Sequence, residues 1–200
     1  MSDPTAEHAP LSRPAAAGLL TGSFVVLLYV IEVVDTVLSS RLEQNGVQPR
    51  DLGGLDGILF APLLHGGWAH LIGNTVPLLV LGFLIGLSGV RTWIQVTAIV
   101  WVAGGAAVWL LGGSNTNHIG ASGIVFGWLA YLLVRGIFTR SPAQIALGFV
   151  VFLVYGGVLW GVIPGRPGVS WESHLFGALA GALAAWLLAP RDVRDESRPR

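Results

Sequence analysis

Six apolar stretches, each long enough to cross a lipid bilayer, constrain this chain more than any other feature of its sequence. A membrane-spanning helix needs about 20 mostly apolar residues. Backbone in lipid must satisfy its own hydrogen bonds, so each such stretch is predicted to be helical. We therefore expect an all-α, polytopic membrane protein, a bundle of six transmembrane helices. The stretches lie at about residues 15–38, 68–88, 92–111, 120–138, 142–163 and 172–189.

The composition agrees with a membrane protein and excludes several other classes. Charged residues make up 11% of the chain, against about 25% in soluble domains. The net charge of zero gives no reason to expect a nucleic-acid partner. The absence of cysteine from the sequence excludes disulfides, thiol nucleophiles and cysteine metal sites. There is no H-E-x-x-H sequence either, so we expect no zinc site, no other metal and no cofactor.

The polar ends of the chain flank a single predicted membrane domain. Residues 1–14 are predicted to be a disordered tail, residues 15–190 the membrane domain and residues 191–200 a charged tail. The first apolar stretch is too long for a signal-peptide core and lacks a clear small-residue cleavage site, so we expect it to stay in the mature protein. The long connection at 39–67 contains the apolar run "GILFAPLL", which favours a partly embedded loop.

The arginines predict the orientation of the bundle in the cell membrane. With the N-terminus in the cytoplasm, eight of the arginines fall on the inner side and three on the outer side. Arginine is enriched in cytoplasmic segments, so both termini are predicted to be cytoplasmic. The even-numbered spans then all begin at the outer face.

Polar side chains cluster at the outer ends of these three even-numbered spans, where they are expected to form one layer. Polar groups inside spans are costly, and by default they suggest function. The residues are His65, His70 and Asn74 at the second span, His118 and Ser122 at the fourth, and Glu172 and His174 at the sixth.

Ser122 and His174 each allow a structural and a catalytic interpretation. Ser122 is either a helix cap or small packing residue, or a nucleophile at a helix N-terminus that can hold an oxyanion. The neighbouring Gly120 and Gly123 would let a substrate backbone approach closely. His174 either forms a hydrogen bond between helices or serves as the general base for Ser122. Glu172, two residues away, should point elsewhere on the helix, so a Ser–His dyad is favoured over a triad.

Two further pairs carry interpretations of the same kind. His70 and Asn74 have i, i+4 spacing and share a helix face. They either hold the bundle together or donate hydrogen bonds to a carbonyl oxygen that becomes charged. Gly177 and Gly181 form a G-x-x-x-G face, which lets a neighbouring helix come close. Glu32 and Asp35, near the outer end of the first span, have no assigned role.

Three segments together resemble the rhomboid family of intramembrane serine proteases. They are "HGGWAHLIGN" at 65–74, "GASG" at 120–123 and "HLFGALAG" at 174–181, in that order on the second, fourth and sixth spans. The resemblance covers about residues 15–190. It implies hydrolysis of transmembrane segments of other proteins in the lipid bilayer, near the outer membrane face. The substrates are expected to enter laterally and to be cut near a small residue.

The resemblance also implies roles by position. Ser122 matches the family's nucleophile and His174 its partner base. His70 and Asn74, with the backbone of Ser122, match the oxyanion donors, and Phe126 matches an aromatic residue that packs on the catalytic imidazole. The small residues that support this arrangement are Gly120, Gly123 and Gly177, and His65 matches a structural histidine.

One position departs from the family pattern, and two other functions compete with proteolysis. Many members carry a Trp-Arg pair where this chain has Asp56-Gly57, which affects loop anchoring and substrate presentation. The first competitor is a non-catalytic relative that binds transmembrane helices, but such a relative would lack the serine or the histidine. The second is a small transporter, which would show paired charges or a broken helix near the midplane. The sequence sets no oligomeric state.

Overall fold

Helices make up most of the chain. The structure is a computed structural model that describes residues 11–165 and 168–190. Within those residues there is no β-strand, and a single isolated β-bridge pairs Val47 with His118. A 3-10 helix, Gly156–Val162, continues α6. The α-helices are α1 Arg13–Val37, α2 Gly57–Phe60, α3 Trp68–Gly86, α4 Val90–Leu111, α5 Ser122–Thr139, α6 Pro142–Tyr155 and α7 Trp171–Leu187.

Five helical segments in the described part of the chain are long and apolar enough to cross a membrane. They are α1, α3, α4, α5 and α6 with its 3-10 continuation. The sixth predicted span corresponds to α7, which has 17 residues. Each predicted stretch thus coincides with one long helix, and the chain is a multi-pass membrane protein. The count of six spans and the orientation stay predictions.

The predicted tails lie mostly outside the described residues, and α1 begins two residues before the predicted start of the first span. α1 begins at Arg13, inside the stretch 1–14 predicted to be disordered. Local sequence explains the early start, because the Ser12 hydroxyl accepts a hydrogen bond from the Ala15 N–H and Pro14 occupies the first turn. A capping serine followed by proline in the first turn is a helix-start signal. Residues 1–10 and 191–200 are not described.

α5 is the central helix of the bundle and packs on α3, α4, α6 and α7. Its side chains Trp128, Leu129 and Leu132 are fully buried in the main apolar core. The closest neighbour is α7, because glycines replace side chains along their contact. A Cβ on Gly181 would lie 1.9 Å from the Gly127 carbonyl oxygen, so the two backbones touch directly.

The loop between α1 and α3 folds against the end of the bundle at which α3, α5 and α7 begin, called here the site end. Two backbone hydrogen bonds join Val47 to His118 in the loop before α5. The Trp101 Nε1–H on α4 donates to the Ile58 carbonyl at 2.9 Å. Gly57 packs directly on the Gly46 backbone, where a Cβ would overlap the chain. This glycine contact joins two parts of the loop, before α2 and at its first residue.

The two acidic residues of α1 are both buried. Glu32 and Asp35 are 4% and 3% exposed. Asp35 accepts a hydrogen bond from the Leu42 backbone N–H at 2.8 Å, which holds the turn after α1. Asp35 therefore has a structural contact that its sequence position did not specify.

Candidate active site

Ser122 and His174 meet at the site end, between α5 and α7. His174 Nε2 lies 2.9 Å from Ser122 Oγ, and both residues are 8% exposed. Ser122 is the first residue of α5, and His174 lies in the first turn of α7. The parallel course of the two helices brings the two first turns to the same depth. The hydroxyl and the imidazole are therefore within hydrogen-bond reach, as a nucleophile and its base must be.

The imidazole of His174 is held on its other edge by a backbone carbonyl. His174 Nδ1 lies 2.9 Å from the Gly161 carbonyl oxygen in the 3-10 helix after α6. A carbonyl can only accept, so the Nδ1–H donates and the lone pair of Nε2 faces Ser122. The Phe126 ring stacks on the imidazole, with centroids 4.0 Å apart and an interplanar angle of 6°. The orientation and tautomer suit a proton acceptor.

Ser122 does not serve as the cap of α5. Ala121 occupies the N-cap position, and no side chain caps the helix. The Ser122 hydroxyl is instead bonded to His174, so the capping interpretation does not describe this residue. Gly120 has a φ of +114°, and a Cβ there would lie 2.5 Å from His70 Cε1. Only glycine fits this turn, because it tolerates both the positive φ and the nearby ring.

His70 and Asn74 line the same cavity as the Ser122–His174 pair. The cavity has a volume of about 810 Å³ and is bounded by the first turns of α3, α5 and α7. The Gly66 N–H donates to His70 Nδ1 at 3.3 Å, which leaves the proton of a neutral ring on Nε2. Asn74 Nδ2 is buried and has no hydrogen-bond partner among the described residues. Both side chains thus offer donors without an internal acceptor, as oxyanion stabilisation requires.

The glycines assigned a supporting role lie at backbone contacts. A Cβ on Gly177 would overlap the Gly123 carbonyl group, and a Cβ on Gly123 would lie 3.3 Å from the Ser173 carbonyl oxygen. These contacts place the first turn of α7 directly against that of α5. The spacing between Ser122 and His174 therefore depends on glycine at both positions.

His65 lies beneath the site rather than in it. Its Nε2 accepts a hydrogen bond from the Ala121 N–H at 3.3 Å, and the side chain is 1% exposed. Burial, with a smaller contribution from His70, lowers the pKa of His65 to about 4. A neutral imidazole at this position supports the backbone immediately before Ser122.

His118 belongs to a separate hydrogen-bonded group at the rim of the cavity. Its Nδ1 lies 2.5 Å from Ser170 Oγ, and its Nε2 lies 2.7 Å from Thr116 Oγ1. Burial lowers the pKa of His118, and the Glu172 carboxylate partly offsets this effect. The sequence placed His118 in the polar layer without a role.

Sequence reasoning missed Gly161. Its contribution comes from a backbone carbonyl, and a glycine in an apolar run carries no chemical signal of such a role. The signal that was present is indirect: "GGVLWGV" ends an apolar span with three glycines, which indicates irregular backbone. Among the described residues, no group of three or more His, Asp or Glu side chains forms a metal site.

Comparisons with known proteins bear on the family of this chain rather than on its individual residues. A family model described as Rhomboid domain matches residues 53–191. Uncharacterised proteins of Mycobacterium bovis and Mycobacterium tuberculosis are 50% identical over 205 residues, covering 98% of this chain and 85% of theirs. Rhomboid-type serine protease 2 of Yarrowia lipolytica is 25% identical over 188 residues, covering 90% of this chain and 61% of its own.

Proposed function

Because this chain belongs to the rhomboid family, we propose that it is an intramembrane serine endopeptidase with Ser122 as nucleophile and His174 as base. The observation that carries the proposal is the 2.9 Å contact between Ser122 Oγ and His174 Nε2. The Gly161 carbonyl holds the imidazole in the tautomer that a base needs. A hydroxyl attacks only when a group beside it accepts its proton.

The reaction proceeds through an acyl-enzyme. Ser122 Oγ bonds to the scissile carbonyl carbon while its proton moves to His174 Nε2. The C–N bond then breaks, and His174 returns the proton to the leaving amine. Water attacks the ester carbonyl and loses a proton to His174, which returns that proton to Ser122 Oγ as the ester C–O bond breaks and the carboxylic acid leaves.

The carbonyl oxygen that becomes charged during attack is stabilised by the donors around the cavity. His70 Nε2–H, Asn74 Nδ2 and the backbone N–H of Ser122 are the groups assigned to it. Donors of this kind, aimed where charge develops, each contribute roughly 10²–10³ in rate. The unpartnered amide of Asn74 supports this assignment.

The substrates are transmembrane segments of other membrane proteins, cut close to the outer face of the cell membrane. An intact helix hides its carbonyls in hydrogen bonds, so a segment must unwind locally before it can be cleaved. Unwinding requires polar groups and water, and the cavity at the site end supplies a polar wall. The six-span, N-in and C-in arrangement places that end outside, with the loop at 39–67 partly embedded beside it.

The experiment is covalent labelling of the purified, detergent-solubilised protein with a fluorophosphonate probe. The wild type should carry one adduct at Ser122 by mass spectrometry, and Ser122→Ala and His174→Ala should carry none. Ser141→Ala, which alters a capping serine at the opposite end of the bundle, should label like the wild type. The same variants should show the same pattern in cleavage of a model transmembrane substrate.

A folded wild-type protein that carries no adduct at Ser122 would refute the proposed endopeptidase activity. It would favour the non-catalytic relative that binds transmembrane helices. Full cleavage by Ser122→Ala would assign the nucleophile elsewhere.

A further inference from the structure

A second serine–histidine contact lies beside the Ser122–His174 pair, nearer the end of the bundle. His118 Nδ1 is 2.5 Å from Ser170 Oγ. His118 comes four residues before Ser122, and Ser170 comes four residues before His174. The two segments that lead into α5 and α7 are therefore joined at equivalent positions, four residues before the dyad in each.

Each member of this second contact is fixed by further hydrogen bonds. The backbone N–H and carbonyl of His118 pair with those of Val47 at 3.0 and 2.9 Å. Ser170 caps α7, since its Oγ accepts a hydrogen bond from the Ser173 N–H at 3.4 Å. The Ser170 carbonyl accepts the backbone N–H of His174 at 3.2 Å. The contact thus connects the first loop to the backbone turn that carries His174.

The second contact differs from the first in that catalysis does not consume it. Within residues 112–139 and the described part of 163–187, two side-chain hydrogen bonds join the α5 segment to the α7 segment: Ser122–His174 and His118–Ser170. The first is lost when Ser122 becomes acylated. The backbone contacts of Gly177 with Gly123 and of Gly181 with Gly127 also hold the two helices together, but they come after the dyad along each helix and do not join the loops that enter α5 and α7.

We propose that His118 and Ser170 are a positioning pair that keeps the first turn of α7 at the distance from α5 that proton transfer between Ser122 and His174 requires. The proposal rests on the proposed function. A catalytic group displaced by about 1 Å can lose roughly 100-fold in rate. A hydrogen bond across the two helix entrances resists that displacement while substrate occupies the cavity.

The test measures the fluorophosphonate inactivation rate (kinact) and the half-saturating probe concentration (KI) separately. His118→Ala should lower kinact by about 10- to 100-fold and leave KI nearly unchanged, because a positioning pair affects the proton-transfer step rather than the binding of the probe. His118→Asn places its amide where Nδ1 was and should restore most of kinact. His118→Gln reaches the Nε2 position instead, toward Thr116, and should not restore it.

A double-mutant cycle assigns the effect to the contact itself. Ser170→Ala should lower kinact as well, and the double variant His118→Ala/Ser170→Ala should lose little more than either single variant. Thr97→Val is the control for a purely structural loss. It removes a buried hydrogen bond from Trp128 Nε1 to Thr97 Oγ1 away from the site, so it should lower the melting temperature and leave kinact unchanged.

The possible outcomes separate this proposal from the proposed function. Equal kinact in the wild type, His118→Asn and His118→Gln would overturn the positioning role, while labelling at Ser122 would still support the proposed enzymatic function. Multiplicative losses in the double variant would also overturn it. A wild type that is not labelled at Ser122 refutes the enzyme and, with it, the positioning role.

Discussion

Replacing Gly161 by alanine tests whether the backbone carbonyl behind His174 acts in place of a carboxylate. Gly161 lies in the 3-10 helix Gly156–Val162, and its carbonyl oxygen is 2.9 Å from His174 Nδ1. A Cβ at this position would lie 2.7 Å from Phe126 Cζ and 3.0 Å from His174 Nδ1. The added methyl group therefore intrudes on both stacked rings.

The size of the effect follows from these distances. Carbon atoms in contact prefer a distance of about 3.5–4.0 Å, so the distance between the methyl group and the Phe126 ring must increase by about 0.8 Å. The imidazole stacks on that ring at 4.0 Å and cannot move through it. If the 3-10 helix moves outward instead, the Gly161 carbonyl leaves His174 Nδ1. Either response misplaces the base by nearly 1 Å, which should lower the rate by roughly 100-fold, or about 2.7 kcal/mol in activation free energy.

The assay is the rate of Ser122 labelling by the fluorophosphonate probe, with cleavage of a model transmembrane substrate as a second measurement. Gly157→Ala is the matched control. It lies in the same 3-10 helix, and a Cβ there meets nothing within 4 Å. Both variants reduce the conformational freedom of the unfolded chain equally. Gly157→Ala should therefore keep the wild-type rate, and the difference between the two variants isolates the contact with the rings.

A Gly161→Ala protein that labels at the wild-type rate would refute this reasoning. It would show that the orientation of His174 does not depend on the carbonyl.

Three further predictions concern the oxyanion donors, a buried histidine and helix packing. Asn74→Leu should raise the melting temperature, because it removes a buried unpartnered amide that destabilises the fold by about 1–3 kcal/mol. The same change should lower the labelling rate by about 10²–10³-fold. The pKa of His65 is about 4 against about 6.5 unfolded, so the unfolded chain binds the extra proton as pH falls. Between pH 7 and pH 4 the free energy of unfolding of the wild type should thus fall by about 3 kcal/mol more than that of His65→Gln. Gly181→Ala should lower both labelling rate and melting temperature, since its Cβ would lie 1.9 Å from the Gly127 carbonyl oxygen, whereas Gly22→Ala, with nothing within 4 Å, should lower neither.

The helices were predictable because membrane-spanning segments are set by apolar length. All six stretches coincide with long helices, and most boundaries fall within two residues. α1 begins at Arg13, two residues before the predicted stretch, because the Ser12 cap and Pro14 start the helix there. The end of the fifth stretch changes from α-helix to 3-10 helix at Gly156, a change that hydropathy does not register.

The contact between Ser122 and His174 was also predictable, because polar residues at the starts of parallel helices must share a depth. The groups that orient them were not. Gly161 acts through its carbonyl, and the pairing of His118 with Ser170 depends on the course of two loops. Contacts of this kind are set by tertiary packing, which residue type and spacing do not encode. The catalytic roles of Ser122, His174, His70 and Asn74 stay predictions.

The use of a carbonyl rather than a carboxylate behind His174 follows from the setting of the site within a membrane domain. Burying a charged group away from water is costly, and a carboxylate as the third residue beside the imidazole would add such a cost. The last carbonyls of a helix have no partner within it, and Gly161 is the penultimate residue of its 3-10 helix. Its carbonyl oxygen is thus available to accept from the imidazole without any buried charge. Because Gly161 has no side chain, Phe126 and His174 can pack against the end of the 3-10 helix, so one residue supplies both the hydrogen-bond acceptor and the space.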